Sequence, residues 1–317
     1  VSTQSTGSMN PNYFLKSPTQ QVENNGKATV IPRPALANLS VLTCDQVPDN
    51  IYKPDDHYQG ILAMRSLLQF DISQNQIDQS YWRMDQTMEI SCDQIFTLLQ
   101  KCHATLRIRE SNLFTSCQLL HHLLQKIDPV DNKEMPRILC ALLFMVQKYE
   151  PTDRQVYTSR QIITRLFGEK SVVQPQHIIW YEEFVLDVLE FRVETVTPYN
   201  YVHLFGETLG FKAEQMNLLL YLITLIIVKP KFQRFNPAKL AAAACYLVCQ
   251  SFEMQWNHSM TFWSDTKPQM IEAEREEILQ LWNDTFLQGK DGNESFGYKR
   301  YKDVRKFAVA LRKPLDS

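Results

Sequence analysis

Glycine is scarce in this chain: nine in 317 residues. Few of them precede β-branched runs, which leaves little room for hairpins and points away from sheet. Charge surplus is also lacking. A net charge of −2 argues against a bulk electrostatic partner such as nucleic acid or an anionic membrane. The longest uncharged apolar run, Leu218 to Val228, is too short to span a bilayer and reads as a buried core helix. No C-x-x-C pair occurs among the seven cysteines, Cys44, Cys92, Cys102, Cys117, Cys140, Cys245 and Cys249. An odd count, most of it inside helical apolar patterns, suits small hydrophobes in a reducing, intracellular compartment. Cys245 and Cys249 lie one helical turn apart with no histidine at ligand spacing, so core packing is favoured over a metal site. There is no Gly-rich phosphate loop, no H-E-x-x-H, no G-x-S-x-G and no repeated carboxylate motif. No catalytic residue, metal or cofactor is therefore expected. A chain that buries this much of itself without such machinery reads as a binding partner.

What is present is helix, in a repeated rhythm. Residues 1–8, VSTQSTGS, resemble a vector-derived remnant, and residues 9–50 are rich in Asn, Gln, Pro and Ser, the composition of a disordered tail. Residues 51–91 are expected to hold a helix, Tyr58 to Phe70, and a polar linker. Spacing of apolar residues then predicts helices over Cys92–Leu106, Ser111–Gln125, Pro136–Tyr149, Ser159–Phe167 and Pro175–Phe191. A second series follows: Tyr199–Leu209, Ala213–Val228, Pro237–Phe252, a short Trp-containing stretch, and Pro268–Leu287. In each series a middle helix opens at a proline and runs through small residues, Cys140 and Ala141 in one and Ala241 to Ala244 in the other. Small side chains let neighbouring helices approach.

The segment Trp180 to Phe205 is the most informative. Trp180, Phe184, Val188 and Phe191 recur at helical spacing and predict one buried stripe, with Glu183, Asp187 and Glu190 on a narrow polar one. Glu182 belongs to neither. Its neighbours three and four positions away, Ile178, Ile179, Val185 and Leu186, are all apolar. A carboxylate so placed sits near a helix terminus or awaits a partner. Pro198 suits the first turn of the next helix, and Thr197 is expected to cap it.

This segment, with Glu182, the aliphatic helix ending Leu189-x-Phe191, and Thr197-Pro198-Tyr199, resembles the end of the first cyclin box and the start of the second. The resemblance covers roughly residues 50–315 and implies an all-α fold of two tandem five-helix boxes: a first over residues 92–196, a second over 197–290, and an extension over 291–317. It implies a regulatory subunit without a catalytic site of its own, which binds and activates a cyclin-dependent Ser/Thr kinase in cell-cycle control, in nucleus and cytoplasm. The other reading is a cyclin-fold scaffold in transcription or meiotic recombination, without kinase activation. Phe144 to Pro151, FMVQKYEP, resembles the family's A-S-K-Y-E-E-P segment, which matches its Lys to Lys148, while Glu182 matches the Glu of the fifth helix. In cyclins these two form the polar centre of the kinase interface around the kinase αC helix. Helix-end electrostatics offers the plainer reading: Lys148 near a helix C-terminus and Glu182 near an N-terminus.

In the tail, Arg33, Leu36 and Leu39 resemble the R-x-x-L-x-x-hydrophobic destruction box of mitotic cyclins, implying a ubiquitin ligase as a further partner. Ser17-Pro18 matches a proline-directed phosphosite, or occurs by chance. Tyr298 to Pro314, with seven Lys/Arg against one Asp, resembles the close of A- and B-type cyclins. Its charges read as a phosphate-binding or nuclear-import strip or, more plainly, as a solvated face beside an apolar strip of Phe307, Val309 and Leu311. The chain departs from the family where an Arg of the first helix meets an Asp of the second: those positions fall near Cys92 and His121. Met64 to Leu68 resembles the missing motif but lies too far upstream. Ile95, Leu98 and Leu99 keep some apolar surface where cyclins dock R-x-L segments, without the usual Met and Trp. Pro151 replaces the second Glu of the K-x-E-E string.

Overall fold

The computed structural model describes residues 86–127, 134–149, 156–169 and 171–315. The tail with Ser17, Arg33, Leu36 and Leu39, the Tyr58 to Phe70 helix, Met64 to Leu68, Cys44 and Pro151 lie outside the described residues. Among those described the chain is all-helical, with no β-strand.

The first unit comprises α1 (Gln86–Leu106), α2 (Glu110–Lys126), α3 (Met135–Tyr149), α4 (Ser159–Phe167) and α5 (Pro175–Val188). The second comprises α6 (Tyr199–Thr208), α7 (Ala213–Ile227), α8 (Pro237–Ser251), α9 (His258–Ser264) and α10 (Glu272–Lys290), and a short α11 (Phe296–Tyr301) follows. In each unit one central helix touches most of the others. α3 packs against α1, α2, α4 and most extensively α5; α8 packs against α6, α7, α9 and most extensively α10. Cys140, Ala141 and Ala241 to Ala244 are fully buried at these crossings. The small residues therefore sit where close approach needs them.

Several boundaries differ from the sequence expectation. α1 starts six residues before Cys92, and those residues include no Gly or Pro to stop it. α5 ends at Val188 rather than Phe191. Glu190 and Phe191 take left-handed φ of 55° and 59°, and the Phe191 N–H donates to the Leu186 carbonyl at 2.8 Å. That is a Schellman-type closure built without glycine. Phe191 is 66% exposed, so it leaves the expected stripe. The buried face is Ile178, Tyr181, Val185 and Val188, with Trp180 and Phe184 only half-buried and stacked on each other. Pro268–Met270 forms a separate 3-10 turn ahead of α10. Thr197 does not cap α6. Its N–H and hydroxyl donate instead to the Asn200 side-chain oxygen at 2.8 and 2.9 Å, and Pro198 stands at the N-cap.

The apolar core runs continuously through both units. Phe114 of α2 stacks on Tyr199 of α6, centroids 4.4 Å apart. His121 is fully buried, and its Nε2 lies 2.9 Å from the Ile227 carbonyl. Phe96, one turn after buried Cys92, packs on the His121 ring at 4.3 Å. Where the family resemblance places an ion pair, this chain thus holds a neutral aromatic contact. Burial keeps the imidazole uncharged, its pKa pushed down to about 3. Charged links join the units alongside it: Lys229 to Asp93 at 2.6 Å and Arg300 to Glu110 at 2.6 Å.

Six described cysteines are buried as thiols, outside any disulfide. Burial raises the Cys102 thiol to about 11 and Cys249 to about 12, so these are packing residues rather than nucleophiles. No group of described residues is arranged to hold a metal ion, and no described helix is long and apolar enough to cross a membrane.

The candidate partner-binding face of the first unit

The α3–α5 crossing brings Lys148 and Glu182 together. Their side chains form an ion pair, the lysine side chain 38% exposed and the glutamate 11%. Lys148 occupies the last turn of α3, where a cation is favoured by the helix dipole in any case. Glu182 lies in the middle of α5. The expected nearness to a helix N-terminus does not hold, and helix-end electrostatics gives no reason for a carboxylate there. The ammonium of Lys148 also sits 4.2 Å from the centroid of the Phe144 ring, which adds a cation–π contact on its other side.

The four apolar neighbours of Glu182 divide into two pairs. Ile178 and Val185 are fully buried in the core. Ile179, 45% exposed, and Leu186, half-buried, lie on the outward side. Glu182 therefore marks the seam between core and surface, with solvent-facing apolar groups one turn away on either side. Exposed Phe191, tied to the Leu186 carbonyl, extends this apolar surface beyond the helix end. Sequence periodicity assigned Phe191 to the core. A Leu-x-Phe ending before a β-branched stretch was the available signal that the helix stops first.

Neighbouring side chains fix the frame. Gln147, buried beside Lys148, donates to the Tyr157 carbonyl at 2.9 Å and accepts from its N–H at 3.0 Å. This pins the backbone leading into α4, whose first turn is closed by a Thr158–Gln161 capping box. Tyr181, adjacent to Glu182, donates to Glu134, which also accepts from Arg137 at 2.8 Å. Lys126 pairs with Glu190 at 2.9 Å, and Glu183 and Asp187 are exposed, as the polar stripe required.

The other predicted surface fares less well. Leu99 is fully buried and offers nothing to a ligand, because the inward face of α1 includes it together with Phe96 and Leu106. Ile95 and Leu98 remain, both half-buried against the core. The basic C-terminal run is largely paired within the chain: Arg300 with Glu110, Lys302 with Glu294 at 2.5 Å, and Arg305 with Asp303 at 2.7 Å. Its expected apolar strip is broken. Phe307 and Ala308 take φ of 57° and 50°, which breaks helical register. Val309 and Ala310 turn inward, while Phe307 and Leu311 stay exposed.

Two family models match: Cyclin, N-terminal domain, over residues 72–194, and Cyclin, C-terminal domain, over residues 196–314. The chain is a member of the cyclin family. It is similar to cyclin-B3-1 of Arabidopsis thaliana, 24% identical over 220 residues, 69% of this chain and 53% of that protein. It is also similar to the G2/mitotic-specific cyclin-B of Dictyostelium discoideum, 25% identical over 251 residues, 76% of this chain and 54% of that protein. The cyclin chain thus spans about half the length of these relatives. Its fold resembles a chain of the yeast RNA Pol II CTD kinase CTDK-1 complex, at 14% identity and a TM-score of 0.52, covering 73% of this chain and 79% of that one. It is a divergent cyclin, B-like in its relatives.

Proposed function

We propose that this cyclin is a regulatory subunit, without catalysis of its own, that binds a cyclin-dependent Ser/Thr kinase through the α3–α5 face and activates it. The observation that carries the reading is the Lys148–Glu182 pair, a mid-helix carboxylate held beside outward apolar groups on a rigid crossing. A kinase needs its αC glutamate paired with the strand-three lysine before phosphates are positioned. A stiff helical partner that holds αC inward shifts the kinase population toward that state. Ile179, Leu186 and Phe191 would supply apolar contact area, and the ion pair the polar register. The B-type relatives support a role in cell-cycle control. The tail residues Arg33, Leu36 and Leu39 would present a degron to a ubiquitin ligase.

The test is a charge swap. Lys148→Glu with Glu182→Lys keeps an internal pair but reverses its polarity toward the partner. Candidate kinases mixed with the purified chain are expected to show stimulated phosphotransfer. The swapped variant should bind about 30-fold or more weakly, given the ~2–5 kcal/mol that disrupting a buried charged contact costs. Equal binding and activation by the swapped variant would refute the interface. Failure of every candidate kinase to bind the unaltered chain would refute the function. For the tail, Arg33→Ala with Leu36→Ala should prolong the protein's life through mitotic exit, and unchanged turnover would remove the degron.

A further inference from the structure

The α3–α5 crossing is gripped at two points. Glu182 pairs with Lys148 in the last turn of α3. Tyr181, the residue before it, donates through its hydroxyl to the carboxylate of Glu134 at the other end of that helix. Glu134 stands just ahead of Met135, and its carbonyl accepts the N–H groups of Arg137 and Ile138 at 2.9 and 3.1 Å as α3 begins. From residue 134 to residue 148 the helix rises about 20 Å. Adjacent residues of α5 thus hold opposite ends of α3.

That separation restricts how α5 can move. A helix held at one point pivots about it, whereas two points far apart fix both its tilt and its rotation. Rotation is what matters at Glu182, which sits on the seam between core and surface. Side chains of consecutive helical residues point about 100° apart, so the direction of Tyr181 dictates that of Glu182.

The Tyr181–Glu134 bridge is buried at both ends. Arg137 Nη1 donates to the two carboxylate oxygens at 2.8 and 2.9 Å, which supplies the countercharge. Packing alone gives no reason for such a bridge, since apolar residues of similar volume serve a core as well or better. The second unit makes the point directly. α10 is the principal neighbour of α8, yet among the described residues no side-chain hydrogen bond or ion pair joins the two.

We infer that Tyr181 and Glu134 are positioning residues: their bridge sets the rotation of α5 that presents Glu182 to Lys148 and to a partner on this face. Both are buried, so they act through Glu182 and touch no partner themselves. The effect on a kinase rests on the proposed function; the setting of the Lys148–Glu182 pair does not.

The test reads that pair directly. Trace acetylation of the full chain with acetic anhydride, followed by peptide mass spectrometry, reports how often the Lys148 amine leaves Glu182. Lysines of the second unit serve as the reference for general loosening. Tyr181→Phe keeps the ring and removes the hydroxyl, and should speed Lys148 acetylation about fivefold, the value of one hydrogen bond. Glu134→Leu should do the same. Glu134→Gln, whose amide oxygen still accepts from the phenol, should stay within about twofold of the unaltered chain. Binding of a candidate cyclin-dependent kinase that the unaltered chain stimulates should weaken about fivefold with Tyr181→Phe, but no further where Lys148→Ala is already present. A merely structural role would weaken both backgrounds alike. Three results each overturn the proposal: unchanged Lys148 acetylation in Tyr181→Phe, acetylation of Glu134→Gln as fast as that of a folded Glu134→Leu, or full additivity with Lys148→Ala. If the unaltered chain stimulates no candidate kinase, the proposed function fails and the acetylation rates alone decide the positioning.

Discussion

The α3–α5 and α8–α10 crossings are built alike and finished differently. Both set a central helix rich in small residues against its principal neighbour, and both end the central helix at a polar residue beside the surface. At the first, Lys148 and Glu182 satisfy one another and leave apolar groups around them. At the second, Gln250 stands where Lys148 does in the first, and Arg275 pairs with Glu272 on its own helix. The lesson is that a shared packing geometry does not fix the polar chemistry placed on it.

The largest expected effect breaks the comparison cleanly. The Lys148→Glu, Glu182→Lys swap should reduce kinase binding about 30-fold or more, while Gln250→Ala at the matching place in the second unit should leave it unchanged. Equal losses from the two variants would mean that the first crossing is not the binding face. Next comes the shared core. Ala243→Leu overfills the α8 crossing and should cost about 1–3 kcal/mol in denaturant unfolding. A stability unchanged within error would show that small residues there do not set helix spacing.

A smaller effect probes the C-terminal segment. Arg312→Ala removes hydrogen bonds to the Ser251 hydroxyl and carbonyl, at 2.7 and 2.5 Å, and the stacking on Phe252, and should cost about 1–2 kcal/mol. It should also speed proteolysis between Val309 and Leu315, and an unaltered cleavage rate would show that the segment holds without its anchor. The smallest effect concerns the join between the units. His121 is held neutral when folded, its pKa near 3, but takes up a proton near 6.5 when unfolded. Its contribution is complete above pH 6.5 and declines as pH falls toward 3. The slope is about 1.4 kcal/mol per pH unit at most. One unit below pH 6.5, about 1 kcal/mol should be missing, and His121→Gln should flatten that part of the profile. Equal slopes in both proteins would remove His121 as the cause.

The helical rhythm was legible because apolar spacing and proline positions are local. The Ser159–Phe167 bounds agreed at both ends, and most other helices fell within a few residues. Lys148 and Glu182 were legible as a pair only through the family resemblance. Thirty-four positions separate them, and the ion pair exists because α5 folds back on α3. The misplacement of Phe191 and Leu99 has one cause. Periodicity ranks residues by hydrophobicity, whereas exposure depends on where a helix stops and which neighbour covers it.

The stop after α5 carries one further consequence. Glycine would relax the left-handed backbone at Glu190 and Phe191, where other residues pay about 1 kcal/mol each. The chain keeps instead a carboxylate tied to Lys126 and an aromatic ring turned to solvent. Those two positions mark a place where stability has been left unclaimed, and where the identity of a side chain outweighs the comfort of the backbone beneath it.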